Sequence, residues 1–196
     1  MLKLATDPVH ARLDRALSDF DLADEADYRG FLLAQAPALL AVEGALAACG
    51  FGDRCPGWQA ARRSDAMLAD LAGLDAAMPR PTVIDPIRGA AGWGAAYVLE
   101  GSRLGAKLLA RRVREGGAPL VVANMRFLTH DGGLPWRSFI ALLDAALPHD
   151  EDLQEATHGA LVAFGAFEKG ARGLALDNGH GAAGMVGAVP VAVVHQ

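Results

Sequence analysis

Apolar positions recur along most of this chain at the spacing of an α-helix. In the first such segment Val9, Leu13 and Leu17 return at every fourth position, which places them on one face. The segment opens with Thr6-Asp7-Pro8, which predicts a helix start with Asp7 as N-cap and Pro8 at the first helical position. Runs of β-branched residues are scarce outside 120–122 and the last ten residues. The pattern therefore predicts an all-α protein.

Further helical segments follow along the chain. The second covers residues 27–46, and Pro37 is expected to bend or split it. The third covers residues 58–74, with Arg62 and Arg63 expected on its exposed side. Prolines at 79, 81 and 86 predict a rigid linker. The helical pattern is completed by residues 120–128, 136–143 and 150–169.

The segment 89–114 has a helical period, yet it carries glycines where a core helix usually carries leucine or alanine. At about 100° per residue, one face holds Tyr97, Gly101, Leu104, Gly105, Leu108 and Arg112, and a solvated stripe holds Arg103, Lys107, Arg111 and Arg114. Each interior glycine costs roughly 1 kcal/mol against alanine. Gly101 and Gly105 therefore indicate either close helix–helix packing, which can include a dimer contact, or a bulky ligand that approaches the backbone.

The chain of 196 residues fits one domain. We expect residues 1–169 to form the helical domain. Residues 170–196 are rich in glycine and predict a C-terminal tail that is either mobile or packed on the body as a short extended segment. The sequence has no internal repeat.

The net charge of −5 argues against general affinity for nucleic acid. Residues 7–27 are acidic and the 89–114 segment is basic, an asymmetry that could steer a small anionic ligand. The start of the chain lacks a signal-peptide apolar core, and no apolar run is expected to reach membrane length. These features predict a cytoplasmic protein with no membrane partner.

Sequence motifs for common catalytic sites are absent: there is no phosphate loop, no zinc-protease motif and no nucleophile elbow. His10 projects beside the apolar stripe of the first segment, where it is either a structural or exposed histidine paired with Asp14, or an axial ligand for haem iron if a pocket faces it. We assign no role to the remaining histidines, His130, His149, His158, His180 and His195. A cofactor or a reactive substrate is expected to carry any chemistry.

Two stretches of the chain resemble a known family. They are Leu4-Ala5-Thr6-x-x-x-His10-x-x-Leu13-Asp14 and Tyr97-Val98-Leu99-Glu100-Gly101-Ser102-x-Leu104-Gly105. In order and spacing they resemble the bacterial haem oxygenases, most closely the branch found beside bacteriophytochromes. Weaker similarity through residues 58–71 and 136–144 extends the resemblance to about residues 2–169. It implies a single-domain helical bundle with a distal helix kinked at its glycines.

The resemblance also implies site residues. His10 matches the proximal haem ligand, and Gly101 and Gly105 match distal glycines that let haem and dioxygen approach the backbone. Ser102 stands where many members have an aspartate that organises distal water. Ala106 stands in place of a second glycine, where its methyl group could crowd the pocket. Other implied positions are Lys107 in place of a common glutamine, Tyr97, Phe164 and Phe167 as aromatic walls, and Arg137 and Arg103 as candidates for haem propionates.

The implied function is a haem oxygenase that cleaves haem to biliverdin, carbon monoxide and ferrous iron, using dioxygen and electrons from a donor. A bacteriophytochrome that receives biliverdin is an implied partner. The departures at Ser102 and Ala106 keep a second hypothesis open, in which the same fold binds or senses haem, or another protein, without turnover. Cys55-Pro56 is a dipeptide that sometimes binds haem, but it is short enough that we interpret it as a loop.

Overall fold

The computed structural model describes residues 2–177, with side chains up to residue 173, and places them in ten α-helices. The helices are α1 (Leu2–Ser18), α2 (Glu25–Ala48), α3 (Phe51–Arg54), α4 (Trp58–Ala61), α5 (Ser64–Gly73), α6 (Ala91–Gly116), α7 (Pro119–Ala123), α8 (Arg126–Thr129), α9 (Trp136–Ala146) and α10 (Asp150–Asp177). No strand occurs among the described residues, which confirms the all-α, single-domain prediction.

Three long helices form the centre of the molecule. The last helix, α10, packs along both α6 and α2, and α1 packs on α10. Buried residues occur on every side of α2, as expected of a helix inside a bundle. By length and composition α2 is also apolar enough to cross a membrane, contrary to the expectation from sequence, but 56% of its most apolar window is buried inside the molecule. This burial is typical of a core helix.

Close approach of α6 and α10 depends on two glycines near one end of their contact. A Cβ atom on Gly94 would overlap the carbonyl oxygen of Ala156, and one on Gly159 would overlap that of Ala91. The backbones therefore touch at this crossing. Close small-residue packing, one of the two alternatives considered for Gly101 and Gly105, occurs at Gly94 and Gly159.

The helix start predicted at Asp7 and Pro8 is wrong, and so is a split of the second helix at Pro37, while a bend there stays a prediction. The helix α1 begins at Leu2, so Pro8 lies inside it and Asp7 is not its N-cap. Leu2 and Thr6 are buried on the same face as Val9, and their packing extends the helix toward the N-terminus. Likewise α2 runs unbroken through Pro37, because buried side chains on both sides of the proline hold the helix in the core.

The predicted helix 58–74 is two helices, α4 and α5, separated at Arg62 and Arg63. The cause is the buried carboxylate of Glu43, whose Oε1 accepts the backbone N–H of Arg63 at 2.7 Å and whose Oε2 accepts that of Ser64 at 3.1 Å. A carboxylate at this place satisfies N–H groups at the start of α5. The prediction that Arg63 is exposed is wrong, since its relative exposure is 2%.

The helix α6 is continuous over 26 residues and ends at Gly116 as predicted. Gly101 and Gly105 are buried, but Leu108 and Arg112 of the predicted inner face are exposed. Arg103 does not belong to the solvated stripe, because its side chain is only 11% exposed and its Nη1 lies 2.7 Å from Glu100 Oε2. A bend at the glycines stays a prediction.

The final helix continues past the predicted domain boundary at 169 and ends at Asp177. Gly170 lies inside it, where a Cβ atom would overlap the carbonyl oxygen of Ala34. The glycine is therefore accounted for by close packing of α10 on α2. The rest of the predicted tail, with His180 and His195, lies outside the described residues.

Candidate functional site

A cavity of about 360 Å³ lies between α1, α6 and α10, with α2, α8 and α9 contributing to its walls. Its lining is mostly apolar. Every site residue named from the sequence, apart from the two propionate candidates and Lys107, lines this cavity: His10, Tyr97, Gly101, Ser102, Gly105, Ala106, Phe164 and Phe167. The fold thus brings together residues that are up to 157 positions apart in the case of His10 and Phe167.

The imidazole of His10 projects from α1 into the cavity between two neighbours. Its Nδ1 lies 3.5 Å from Asp14 Oδ2, one turn further along the helix, and its ring meets the ring of Phe164 edge-on at 5.6 Å. Burial raises the pKa of Asp14, and the nearby His10 partly opposes that shift. With Nδ1 directed at a carboxylate, Nε2 is the nitrogen left to bind a metal.

Gly101 is not required by the packing of the protein itself. A Cβ atom on this residue would lie 3.8 Å from Cη2 of Trp136, an ordinary van der Waals contact. Because Gly101 also lines the cavity, its missing side chain leaves open backbone facing the cavity. An open, glycine-lined wall in a cavity that also holds a histidine fits a flat ligand such as haem.

The hydroxyl group of Ser102 makes two hydrogen bonds. It donates to the carbonyl oxygen of Leu99 at 2.7 Å, and its oxygen accepts from Nη2 of Arg63 at 2.5 Å. A serine that is bonded in this way does not present its hydrogen to the cavity. The polar character of this wall therefore depends on Arg63 as much as on Ser102.

Arg63 is a cavity residue that the sequence did not predict. Its guanidinium lines the cavity, donates to the carbonyl oxygen of Leu99 at 3.1 Å, and lies 4.8 Å over the ring of Phe127. Burial lowers the pKa of Arg63 to about 10, with Glu43 and Glu100 opposing that shift. The group therefore remains cationic at neutral pH. A sequence pattern that predicts one continuous helix through position 63 gives no signal for it.

The remaining predicted site residues fall into two groups, those that line the cavity and those that do not. The ring of Tyr97 lies 5.5 Å from that of Trp136, which also lines the cavity, with the two ring planes tilted by 45°. Burial, followed by the charge of Asp7, raises the pKa of Tyr97. Arg103 and Arg137, the candidates for propionate binding, are not among the lining residues, and Lys107 is exposed. The lysine that the fold brings to the cavity is Lys3 on α1.

Metal ligation by the protein alone has no support in the described part of the chain. No group of three or more His, Cys, Asp or Glu residues gathers there in a way that could hold an ion. Cys55 is buried outside the cavity lining, and burial raises its thiol pKa to about 11. The arrangement suits a metal that brings its own macrocycle and takes one further ligand from the protein.

Comparison with known proteins gives two informative matches. No protein-family model matches the chain. A haem oxygenase of Xanthomonas campestris pv. campestris (strain 8004) is 37% identical over 116 residues, which cover 57% of this chain and 68% of that protein. The crystal structure of the NO- and CO-bound haem oxygenase from Neisseria meningitidis has a TM-score of 0.65 at 25% identity, and the match covers 88% of this chain and 89% of that one. With this similarity in sequence and in fold, the chain belongs to the haem oxygenase family.

Proposed function

We propose that this protein binds haem in the cavity between α1 and α6 and cleaves it to biliverdin, carbon monoxide and ferrous iron, with dioxygen and an electron donor. The observation that carries the proposal is the meeting of His10 and the open backbone of Gly101 in one cavity of a haem oxygenase fold. When bound, haem supplies the iron at which dioxygen is activated and also the ring that is cleaved.

His10 holds the iron through Nε2. The carboxylate of Asp14, 3.5 Å from Nδ1, keeps the proton on Nδ1 and fixes the orientation of the ring. The edge-on contact with Phe164 restricts the ring further. A single neutral imidazole nitrogen would be the ligand that the protein supplies to the iron, which would leave the iron able to take up dioxygen.

The distal wall is formed by Gly101 and Gly105. The absence of side chains at these positions leaves room for the macrocycle and for dioxygen against the helix backbone. Phe164, Phe167 and Tyr97 are apolar or aromatic surfaces for the ring and reduce the access of water. Ala106, which is 6% exposed and also lines the cavity, adds one methyl group to this wall.

Polar chemistry on the distal side belongs to Ser102 and Arg63. Arg63 directs a cationic N–H donor at the Ser102 oxygen, and this pair would order water on the distal side of the cavity. An aspartate at position 102 would accept hydrogen bonds from that water. In this protein the cationic Arg63 donates hydrogen bonds instead of accepting them. Its positive charge stabilises negative charge that develops on oxygen.

The wider biological setting is part of the proposal. Haem cleavage consumes electrons, so a donor protein is required, and a bacteriophytochrome that takes up biliverdin is the partner suggested by the sequence resemblance. The chain would act in the cytoplasm. Measurement of the oligomeric state would show whether the protein forms a homodimer.

Titration with hemin tests the proposal directly. We expect the wild-type protein to give a Soret band that His10→Ala loses or shifts strongly, while the exposed control His158→Ala retains it. With reductant and dioxygen, the Soret band should give way to the broad red absorbance of biliverdin. A complex that persists unconsumed would support haem binding or sensing without turnover. If the wild type does not bind hemin at all, the proposal is wrong.

A further inference from the structure

A cluster of three charged side chains joins α1 to α10. Nε of Arg12 lies 2.7 Å from Oε1 of Glu168, and Nη2 of Arg12 lies 3.4 Å from Oε2 of the same carboxylate. Nη2 of Arg172, one turn further along α10, lies 3.6 Å from Oε1 of Glu168. None of the three residues lines the cavity. One carboxylate is thus held at both oxygens by an arginine of α1 and is shared with a second arginine of its own helix.

The geometry of this cluster sets it apart from most ion pairs at a protein surface. Such pairs usually contribute little, because two long side chains must be ordered and water weakens their attraction. Bidentate pairs and charge networks are the exceptions. Arg12 is 48% exposed, but Glu168 is only 15% exposed. The carboxylate is therefore held in place by its surroundings before the arginine binds it.

The position of α1 depends mainly on α10. Within the described part of the chain, α10 is the one helix on which α1 packs extensively. The side of α1 that carries His10 and Asp14 lines the cavity instead of packing on α6. The distance between His10 and the glycine wall of α6 is therefore set by how firmly α1 is held on α10.

The ion pair lies close to the predicted iron ligand along both helices. Arg12 is two positions after His10 on α1, and Glu168 is one turn after Phe164 on α10. The rings of His10 and Phe164 are themselves 5.6 Å apart. The ring contact and the ion pair join the same stretches of the two helices, so together they fix the place of the imidazole along α10.

We propose, resting on the proposed haem oxygenase function, that the Arg12–Glu168 ion pair is a clamp that positions His10 and slows the release of haem. Arg12 is a positioning residue, since it acts on the iron ligand through the helix that the two share. Because Arg12 reaches solvent, salt screens its attraction to Glu168. The clamp therefore makes haem release accelerate as the ionic strength rises.

Transfer of hemin from the loaded protein to excess apomyoglobin measures this release. We expect Arg12→Met to release hemin about 5-fold faster than the wild type at low salt, the effect of a well-formed ion pair. Glu168→Gln should act alike, and the double variant should be no faster than either single variant, because each loses the same contact. Added salt should speed release more in the wild type than in Arg12→Met. Arg15→Met is the matched control on α1 and should match the wild type, because Arg15 donates to the carbonyl oxygen of Ala11 within that helix.

A spectroscopic measurement separates positioning from a general effect on stability. The stretching vibration of the bond between ferrous iron and His10 depends on the orientation of the imidazole. Resonance Raman spectra should show a shifted or broader band in Arg12→Met and an unchanged band in Arg15→Met. Arg12→Lys keeps the charge but loses the fork of two donors, so its band and its release rate should lie between those of the wild type and Arg12→Met.

Hydrogen exchange of the haem-free protein tests the clamp without hemin. Amides of α1 should exchange several-fold faster in Arg12→Met than in Arg15→Met, while those of α2 stay unchanged. The proposal is overturned if the two variants agree in exchange and in hemin release, or if exchange differs but release and the Raman band do not. A wild type that binds no hemin defeats the proposed function and the role in haem release, whereas faster exchange of α1 in Arg12→Met still shows that the pair holds this helix.

Discussion

At the scale of single residues, Arg63 brings a positive charge to the wall of the cavity at Ser102. A serine at position 102 carries no charge, and its hydrogen is bonded to Leu99. The guanidinium of Arg63 brings charge to the same place from a different segment of the chain. Its neighbours Glu43 and Glu100 each have other partners, namely Ser64 and Arg103. Replacement of Arg63 therefore leaves no buried carboxylate without a partner.

We predict that Arg63→Met folds normally and binds hemin, yet turns it over roughly 10²-fold more slowly, since the loss of one preorganised donor has about that effect. Methionine fills a similar volume without the charge. Haem consumption under single-turnover conditions, beside denaturation of the haem-free protein, measures both effects. Arg111→Met is the matched control, because Arg111 forms an exposed ion pair with Glu115 on the same helix. Equal rates for the two variants would contradict the role of Arg63.

At the scale of elements, α6 contains two kinds of glycine. Gly94 lets α6 touch α10, and no side chain fits there. Gly101 has ordinary space for a methyl group and faces the cavity. The first glycine serves the packing of the two helices, and we propose that the second leaves room for the ligand. An alanine substitution at each of the two positions separates these roles.

Gly101→Ala should raise the stability of the haem-free protein by up to about 1 kcal/mol, because alanine favours the helix. The same change should weaken hemin binding by about 1–3 kcal/mol, since the methyl group overpacks the filled cavity. Gly94→Ala should instead destabilise the haem-free protein by about 3 kcal/mol through its clash with Ala156. Urea denaturation and hemin titration of both variants check these signs. A stable Gly94→Ala would show that the helices are not in backbone contact.

At the scale of the whole molecule, the cavity joins α1 to the bundle of α2, α6 and α10. A ligand that bridges these elements stabilises the folded state by mass action. Hemin at 100 times its Kd adds about 2.7 kcal/mol, which for a chain of this size raises Tm by about 5–10 °C. Calorimetry should show this rise in the wild type and a much smaller one in His10→Ala. An equal rise in both would place hemin elsewhere.

The sequence by itself determined the helical class and the approximate extent of the long helices α2, α6 and α9. Its resemblance to the haem oxygenases named several of the residues that meet in the cavity. Helical period and the scarcity of β-branched residues are local features, so they can be read along the chain. The contact between His10 and Asp14 was visible for the same reason, because residues four apart on a helix are neighbours.

Tertiary structure decided what depends on partners far away in the chain. Buried neighbours overrode the helix start expected at Pro8 and the split expected at Pro37, since packing outweighs the local cost of proline. The carboxylate of Glu43, twenty positions before Arg63, split the predicted helix and turned that arginine inward. Which glycine serves packing and which serves the cavity depended on what lies opposite each of them. A pattern along one helix carries no information about the groups that other segments bring against it.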